Sequence, residues 1–319
     1  MDAEIRSYEW DTAVPGPTLV LMGGVHGNEA CGPAALHRLI FYERAGSIPL
    51  VKGRVIIVPV ANPEAFKQNK REVDRNLNRG MRHMRPRSGA PYEDFLCDAI
   101  CTVLDQADYL LDIHSYTAQG GPFIFMGCRD AEEKAFAEAL GVTNNFVWDW
   151  ENAFHDSGIR REESQSTTGH VRNVDEKPRR ALTLECGQHK NLNNADVGFA
   201  AALRAMAHLG IIAPETVARN VSGLSLPPVE GEKHFARMKT VVRKRAGVAG
   251  LARVFNHFGA IKKGEALAVD KDGAPLVFAD RDGLAILPNP GAKEGAETLY
   301  LATDEEPFPP AARKKAYCK

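Results

Sequence analysis

Apolar runs closed by glycine or by polar residues alternate along the N-terminal part of the chain with segments of helical periodicity. The helical segments are 29–44, in which Pro33 falls in the first turn, and 91–107, which has one apolar face. The apolar runs are TLVLMGG (18–24), GRVIIVPVANP (53–63), DYLLDIHS (108–115) and RALTLECG (180–187). Because such alternation is typical of α/β domains, we predict a mostly parallel or mixed sheet flanked by helices.

The character of the sequence changes at residues 222–232, where two prolines interrupt the periodic pattern. Beyond this segment, short alternating runs are broken by glycine, Asp-Gly and Pro-Asn, as in strands joined by tight turns. We therefore predict a larger domain over 1–222, followed over 223–319 by a linker and a small all-β domain. The polar tail 309–319 is predicted to lack regular structure.

Charge and composition argue against several classes of protein. The 40 basic and 41 acidic side chains give a formal net charge of −1, whereas nucleic-acid-binding proteins normally have a basic surplus. No apolar run is long enough to cross a bilayer, and the first dozen residues lack the pattern of a signal peptide. The six cysteines are scattered without a Cys-x-x-Cys pair, as in reduced proteins. The sequence thus predicts a cytoplasmic protein without a nucleic-acid or membrane partner.

Side chains that bind metals follow two of the predicted strands. His26 and Glu29 lie in the glycine-rich loop after the first strand, and His114 lies at the end of the third. Because ligands bind at the carboxyl ends of the strands in such sheets, these side chains are expected to converge. Two histidines and a glutamate with one open position form an established hydrolytic zinc site. Asp112 shares a strand face with His114 and is a candidate partner for it, although it also suits a strand end.

The same residues have a simpler explanation, because a His-x-x-Glu sequence often occurs by chance in a turn. Cys31 and Cys186 flank site candidates, but the metal site needs no thiol, so we interpret them as packing residues. The remaining histidines lack a comparable setting and are interpreted as residues of helical segments, the surface or loops: His37, His208, His83, His155, His170, His189, His234 and His257.

The segment NKREVDRNLNRG (69–80) contains a second group of candidates. Arg71, Arg75 and Arg79 recur every four residues, which on a helix would form one solvated basic face. Asparagine, aspartate and glycine are poor helix formers, so the segment is predicted to be a loop. In a loop near a metal, guanidinium groups bind carboxylates and stabilise a developing oxyanion.

Glu185 is unusual because it lies in a run of leucine and threonine, and charged side chains are seldom buried without a partner. At the end of a strand beside a metal-bound water, it would be placed to remove a proton from that water. Alternatively, it forms a buried ion pair with Arg179 or Arg180. The tryptophans Trp148 and Trp150 either stack on a substrate or pack beneath a surface loop.

In series, these motifs resemble a known family. His-Gly-Asn-Glu after a strand, Asp-x-Asn-x-Asn-Arg, Asp-x-His-Ser and a strand ending in Glu-x-Gly are similar to the succinylglutamate desuccinylase/aspartoacylase family, whose members are related to zinc carboxypeptidases. The resemblance covers residues 15–215. It implies a zinc-carboxypeptidase-like fold and one Zn²⁺ per chain, held by His26, Glu29 and His114.

The resemblance also implies roles for the other candidates. Arg71 would polarise the scissile carbonyl, and Asn78 and Arg79 would bind the carboxylate of the amino-acid half of the substrate. Glu185 would be the general base and then the general acid. Region 144–173 does not align with the family cleanly enough to assign the residues that bind the rest of the substrate.

The implied activity is removal of the acyl group, of N-acetyl or N-succinyl type, from a small-molecule N-acyl amino acid. A metallocarboxypeptidase acting on short peptides is the alternative, because the same carboxylate-binding residues serve both reactions. A binding module without catalysis is a third hypothesis, which the presence of all three ligands and the base disfavours. The sequence does not predict the oligomeric state, and a homo-oligomer is compatible with it.

Overall fold

The computed structural model describes residues 4–127, 130–305 and 307. The helices are α1 (Cys31–Arg44), α2 (Pro63–Lys67), α3 (Tyr92–Leu104), α4 (Ala131–Ala139), α5 (Trp150–Asp156), α6 (Arg161–Ser164), α7 (Thr167–Asn173), α8 (Asn194–His208) and α9 (Pro214–Val221). The strands are β1 (Tyr8–Asp11), β2 (Thr18–Gly23), β3 (Arg54–Val58), β4 (Tyr109–Tyr116), β5 (Phe123–Met126), β6 (Asn145–Trp148), β7 (Arg180–Gln188), β8 (His234–Arg243), β9 (Gly250–Leu251), β10 (Gly259–Ile261), β11 (Ala266–Val269), β12 (Pro275–Phe278), β13 (Gly283–Ile286) and β14 (Glu297–Asp304). The predicted tail 309–319 lies outside the described residues.

The main sheet is mixed and has eleven strands in the order β1-β3-β2-β4-β7-β5-β6-β8-β14-β13-β10. Its centre, β3-β2-β4-β7, is parallel. Strand β1 joins one side of this centre antiparallel to β3, and β5 joins the other side antiparallel to β7. The predicted α/β architecture is therefore confirmed. Of the two kinds of sheet that the sequence allowed, mostly parallel or mixed, the structure has the mixed one.

Register brings the ends of the predicted strands together. Met22 on β2 pairs with Asp112 on β4, and His114 on β4 pairs with Glu185 on β7. All eight residues of β4 are buried. Strands buried on both faces have nearly continuous apolar sequences, so the central strands were recognisable from sequence. The consequence is that the polar residues following them lie at one edge of the sheet.

Helices cover both faces of the sheet. Leu39 of α1 and Phe199 of α8 belong to one apolar cluster, and Ile100 of α3 and Val20 of β2 belong to another. Pro33 lies in the first turn of α1, as predicted, where its missing N–H costs no helical hydrogen bond. The two clusters hold the central strands rigidly between helices, which is the usual setting for a site built on strand ends.

The C-terminal part of the described chain consists of strands after α9. A small antiparallel sheet, β12-β11-β9, is separate from the main sheet and agrees with the predicted all-β region. Four other strands, β8, β14, β13 and β10, extend the main sheet instead. Strand β8 pairs in parallel with β6, and β14 pairs antiparallel with β8. The domain boundary at 222/223 stays a prediction.

Two further observations concern the sequence predictions. Within the described part of the chain, no helix is both long and apolar enough to span a membrane. The four cysteines in that part are free and buried: Cys31, Cys97, Cys101 and Cys186.

Candidate active site

The loop between β2 and α1 positions His26 and Glu29. Its backbone is packed tightly against α2, since a Cβ atom added at Gly27 would lie 2.1 Å from the carbonyl carbon of Ala65. Glycine is therefore required between the two predicted ligands for reasons of space. Both side chains are almost completely buried, and His26 Nδ1 lies 2.8 Å from Glu29 Oε1.

Glu29 is the centre of a cluster of polar side chains. Its Oε1 lies 2.8 Å from His26 Nδ1, and its Oε2 lies 2.9 Å from His114 Nδ1. Oε2 also accepts a hydrogen bond of 3.1 Å from the backbone N–H of Ser115. Suitable ligand atoms of His26, Glu29 and His114 all lie within 4.8 Å of one another. The structure thus brings the three predicted ligands together at one point.

Both imidazoles also have a side-chain oxygen close to their second nitrogen, although His114 Nε2 forms no hydrogen bond of good geometry among the described residues. His26 Nε2 lies 3.0 Å from Asn76 Oδ1, and His114 Nε2 lies 2.9 Å from Asp112 Oδ2. Asp112 is fully buried, and its Oδ2 accepts a hydrogen bond from the Thr167 hydroxyl. Histidines that bind metals usually have this kind of partner, which fixes the tautomer and the ring orientation. Asp112 therefore occupies the position predicted for it beside His114.

The electrostatics of the cluster follow from burial and from its own charges. Burial, assisted by the nearby cationic Arg71, lowers the pKa of His26 to about 4. Burial opposes ionisation of Glu29, but the two histidines outweigh it and hold the pKa of this carboxyl well below its usual range. Burial opposes protonation of His114, but the carboxylates of Asp112 and Glu29 outweigh it and raise the pKa of this imidazole well above its usual range. A cation bound by the three side chains would therefore displace a proton from His114.

The segment 69–80 is a loop, as predicted, and its arginines have different partners. Arg71 Nη1 donates to Glu29 Oε1 at 3.1 Å, while about half of the Arg71 side chain is exposed. Arg75 instead pairs with Asp94 and donates to the backbone oxygen of Arg79, so it supports the loop. Of the two, only Arg71 reaches the ligand cluster.

Asn78 and Arg79 lie beside the cluster and are held from two directions. Asn78 Oδ1 accepts a hydrogen bond of 3.0 Å from the backbone N–H of Thr167. Arg79 Nη2 lies 3.3 Å from Glu297 Oε1 on β14, and its guanidinium lies 5.0 Å from the centre of the Phe154 ring. The Nε of Arg79 is buried without a hydrogen-bonding partner among the described residues. The guanidinium thus keeps one donor for a ligand.

Glu185 lies at the end of β7, and only 8% of the residue is exposed. Its Oε2 has no hydrogen-bonding partner within the described chain. Burial, together with the charge of Glu29, raises its pKa to about 8. The alternative ion pairs are wrong, because Arg179 pairs with Asp175 and Arg180 pairs with Asp130 and Glu132. Glu185 is therefore available to exchange a proton with a bound molecule.

Two adjoining cavities connect these residues. The larger, of about 740 Å³, is lined by His26, Glu29, Arg71, Arg79 and Glu185 among others. The smaller, of about 90 Å³, is lined in part by His114 and Asn78. All seven residues predicted from the sequence therefore line one continuous space.

Several residues around this space were not predicted. The C-terminal strands and their turns contribute Arg243, Leu287, Glu297 and Tyr300. Their positions depend on strand pairing, so no local pattern points to them. Trp150 also lines the smaller cavity, whereas Trp148 is packed in the core and its indole N–H donates to the backbone oxygen of Glu305.

The interpretation of the remaining histidines needs correction. His170 is buried in α7, not a surface or loop residue, because α7 packs against α3. His257 does lie in a loop, before β10, but it is half-buried among aromatic side chains that include Phe123. His189 is half-buried in the larger cavity, and its Nδ1 lies 2.8 Å from Ser115 Oγ. The position of His189 could have been predicted from the sequence, because it follows the Glu-x-Gly motif by two residues.

Comparison with known proteins agrees with this architecture. A family model for the succinylglutamate desuccinylase/aspartoacylase catalytic domain matches residues 15–209. A curated protein from Nostoc sp., named probable aspartoacylase, is 29% identical over 119 residues. That match covers 35% of this chain and 40% of the relative, so it spans less than half of the relative's length.

Solved structures match over nearly the whole chain. A succinylglutamate desuccinylase/aspartoacylase from Rhodobacter sphaeroides has a TM-score of 0.69 at 21% identity, covering 95% of this chain and 90% of its own. Succinylglutamate desuccinylase from Vibrio cholerae has a TM-score of 0.68 at 20% sequence identity, and the match covers 93% of this chain and 85% of that protein. The product-bound ectoine utilization protein EutE from Ruegeria pomeroyi has a TM-score of 0.64 at 23% sequence identity, and the match covers 93% of this chain and 88% of that protein. These likenesses show a shared fold.

Proposed function

The chain belongs to the succinylglutamate desuccinylase/aspartoacylase family, and on that premise we propose that it is a zinc-dependent amidohydrolase that removes the acyl group from an N-acyl amino acid. The observation that carries the proposal is the convergence of His26, Glu29 and His114 next to the carboxyl of Glu185, whose Oε2 has no hydrogen-bonding partner among the described residues. The family consists of deacylases that act on such substrates. The bond, the metal and the cytoplasmic location are our predictions for this chain.

The ligand set fits Zn²⁺. Two imidazole nitrogens and one carboxylate from His26, His114 and Glu29 form a set that zinc hydrolases use, and Asp112 supports the ring of His114. When bound, zinc lowers the pKa of a coordinated water and polarises a carbonyl group. The protein supplies the buried surroundings in which those charges act strongly.

Glu185 is assigned the proton transfers. Burial and the charge of Glu29 raise the pKa of Glu185 in the metal-free protein, and a bound cation would lower it again toward the range in which the carboxylate accepts a proton at neutral pH. It takes a proton from the attacking water and delivers it to the nitrogen of the leaving amine. Arg71 reaches the same cavity, and its guanidinium is positioned to stabilise negative charge on the carbonyl oxygen.

Arg79 and Asn78 are assigned to the carboxylate of the amino-acid half. Arg79 has a buried Nε without a partner among the described residues, and its Nη2 already lies beside the carboxylate of Glu297. Binding of a substrate carboxylate there would orient the scissile amide toward the ligand cluster. A cavity of about 740 Å³ is in the range of small-molecule sites.

The experiment is free-amine release from a panel of N-acyl amino acids by zinc-loaded protein. The panel contains N-acetyl and N-succinyl derivatives of acidic, basic and neutral amino acids and two short peptides, with a chelator-treated sample as control. The name of the Nostoc relative makes N-acetylaspartate one necessary member. We expect chelator-sensitive release from at least one N-acyl amino acid. Release from the peptides alone would show a carboxypeptidase, and no release from any compound would contradict a hydrolase of this kind.

A further inference from the structure

A second cluster of histidine and carboxylate side chains lies apart from the catalytic cavities. Asp105, directly after α3, faces two imidazoles: its Oδ2 lies 2.8 Å from His83 Nε2, and its Oδ1 lies 2.7 Å from His170 Nε2. Ligand atoms of the three residues lie within 4.8 Å of one another. The described linings of both catalytic cavities contain none of the three. The cluster is therefore a separate set of groups.

Helix α3 orients both imidazoles. His83 Nδ1 lies 2.8 Å from Asp98 Oδ1, and His170 Nδ1 lies 3.7 Å from Cys101 Sγ. Asp98, Cys101 and Asp105 are spaced by three and four residues, so they form one stripe along the helix. With their Nδ1 atoms held in this way, the rings direct both Nε2 atoms to the same carboxylate. A carboxylate at the second nitrogen, as Asp98 provides for His83, is a usual partner of metal-binding histidines.

Access and charge also suit a cation. His170 is buried, but the side chains of His83 and Asp105 are 47% and 33% exposed, so an ion and its water can reach the cluster. Arg179 is a cation near Asp105, but it is engaged by both carboxylate oxygens of Asp175. Asp98 and Asp105 raise the pKa of His83 through their hydrogen bonds and charges. Once the imidazoles are neutral, as metal binding requires, these two carboxylates give the cluster an excess of negative charge.

We propose that His83, Asp105 and His170 form a second metal site, for Zn²⁺ or a divalent transition-metal ion with the same ligand preference. Imidazole nitrogens favour such ions over Mg²⁺ and Ca²⁺, which prefer oxygen. Zinc bonds of about 2.0–2.2 Å place tetrahedral ligands about 3.3 Å apart. Each His–Asp pair would have to separate by about half an ångström from its hydrogen-bond distance, and the two Nε2 atoms, which lie within 4.8 Å of each other, would have to take up the same spacing. The exposed side chain of His83 can make that movement.

The ion would fasten the chain after Arg79 to helices α3 and α7. His83 follows Arg79 closely, and Thr167 of α7 binds Asn78 through its backbone N–H. A metal joining His83 to His170 thus holds the segment that carries the proposed carboxylate-binding residues. Binding of the ion itself does not depend on the proposed hydrolase activity.

The test is zinc content per chain, measured by mass spectrometry on full-length protein that has been stripped, reloaded with zinc and freed of excess ion. We expect two ions in the wild type and one in His83→Ala. His155→Ala, which removes an exposed histidine beside Asp156, is the matched control and should keep two. One ion in the wild type, or two in His83→Ala, would overturn the proposal.

A second variant distinguishes loss of metal binding from loss of the folded structure. Asp98→Asn keeps the three ligands but weakens the hold on His83, so zinc affinity at this site should fall about 10- to 100-fold. Unchanged affinity in Asp98→Asn would contradict the assigned geometry, and circular dichroism checks the fold of each variant. Amine release is measured on the same samples. Two ions without hydrolysis would reject the proposed function alone, whereas hydrolysis with one ion in the wild type would reject the second site alone.

Discussion

Glu185, at the end of β7, and Glu29, in the loop after β2, show how their surroundings give two buried glutamates opposite properties. Glu29 accepts hydrogen bonds at both oxygens, and its pKa is lowered by His26 and His114 despite burial. Glu185 has one oxygen without a partner in the described structure, and burial raises its pKa to about 8. One carboxyl is thus suited to hold a cation and the other to exchange a proton.

This difference predicts a pH dependence of stability for the metal-free protein. Because the pKa of Glu185 rises from 4.5 to about 8 on folding, its protonated form favours the folded state. This contribution is complete below pH 4.5 and is lost as the pH rises through about 8. Glu185→Gln cannot ionise, so its Tm with chelator present should fall less than that of the wild type over this range. Parallel Tm profiles would contradict the assignment.

Arg79 has a separate prediction, because its proposed role is to bind the substrate carboxylate and not to transfer a proton. Arg79→Ala removes a charged hydrogen-bond donor, a contribution of about 1.5–3 kcal/mol, so KM should rise roughly 10- to 100-fold with a smaller change in kcat. Steady-state amine release measures both constants. Arg82→Ala, which removes an exposed arginine just after the same segment, is the control and should keep the wild-type KM. An unchanged KM in Arg79→Ala would remove this residue from substrate binding.

At the scale of elements, Glu93 in the first turn of α3 holds the arginine-bearing loop. It is completely buried, and its carboxylate accepts hydrogen bonds from the backbone N–H groups of Val73, Asp74 and Arg75 at 2.7–3.1 Å. It also accepts a bond of 3.1 Å from Asn62 Nδ2. An acidic side chain with four donors keeps this loop ordered without helical hydrogen bonds.

Replacing that acceptor should loosen the loop. Glu93→Gln would place an amide N–H₂ group against backbone donors, so the free energy of unfolding should fall by about 1–3 kcal/mol. Urea denaturation measures this change, and kcat/KM should fall as Arg71 and Arg79 lose their fixed positions. Glu64→Gln on α2, where the carboxylate is more exposed, is the matched control. Equal stability of the two variants would show that Glu93 does not support the loop.

The elements differ in how far the sequence alone could predict them. Strands β2, β3, β4 and β7 were predicted because strands buried on both faces have continuous apolar sequences. The short helices between 150 and 173 were not predicted, because their positions depend on distant partners. Arg172 of α7, for example, pairs with Glu133 of α4 and with Glu151 of α5.

At the scale of the whole molecule, the cavity is completed by the end of the described chain. Glu297 lies 218 residues after Arg79 in sequence, yet the two side chains are 3.3 Å apart. Tyr300 and Arg243 reach the same cavity because β8 and β14 extend the main sheet. Local sequence patterns predicted the part of the site that is formed by the ends of the parallel strands β2, β4 and β7 and by the loop 69–80. The other part depends on pairing between β6 and β8, which no spacing in the sequence indicates.

The measurement that tests the central claim most directly is amine release by Glu185→Gln, with zinc content determined on the same samples. We predict that the variant binds as much zinc as the wild type, because Glu185 is not a ligand, and that kcat falls about 10²- to 10⁴-fold, as expected for loss of a general base. Glu64→Gln serves as control and should retain wild-type turnover. Wild-type turnover in zinc-loaded Glu185→Gln would contradict the account.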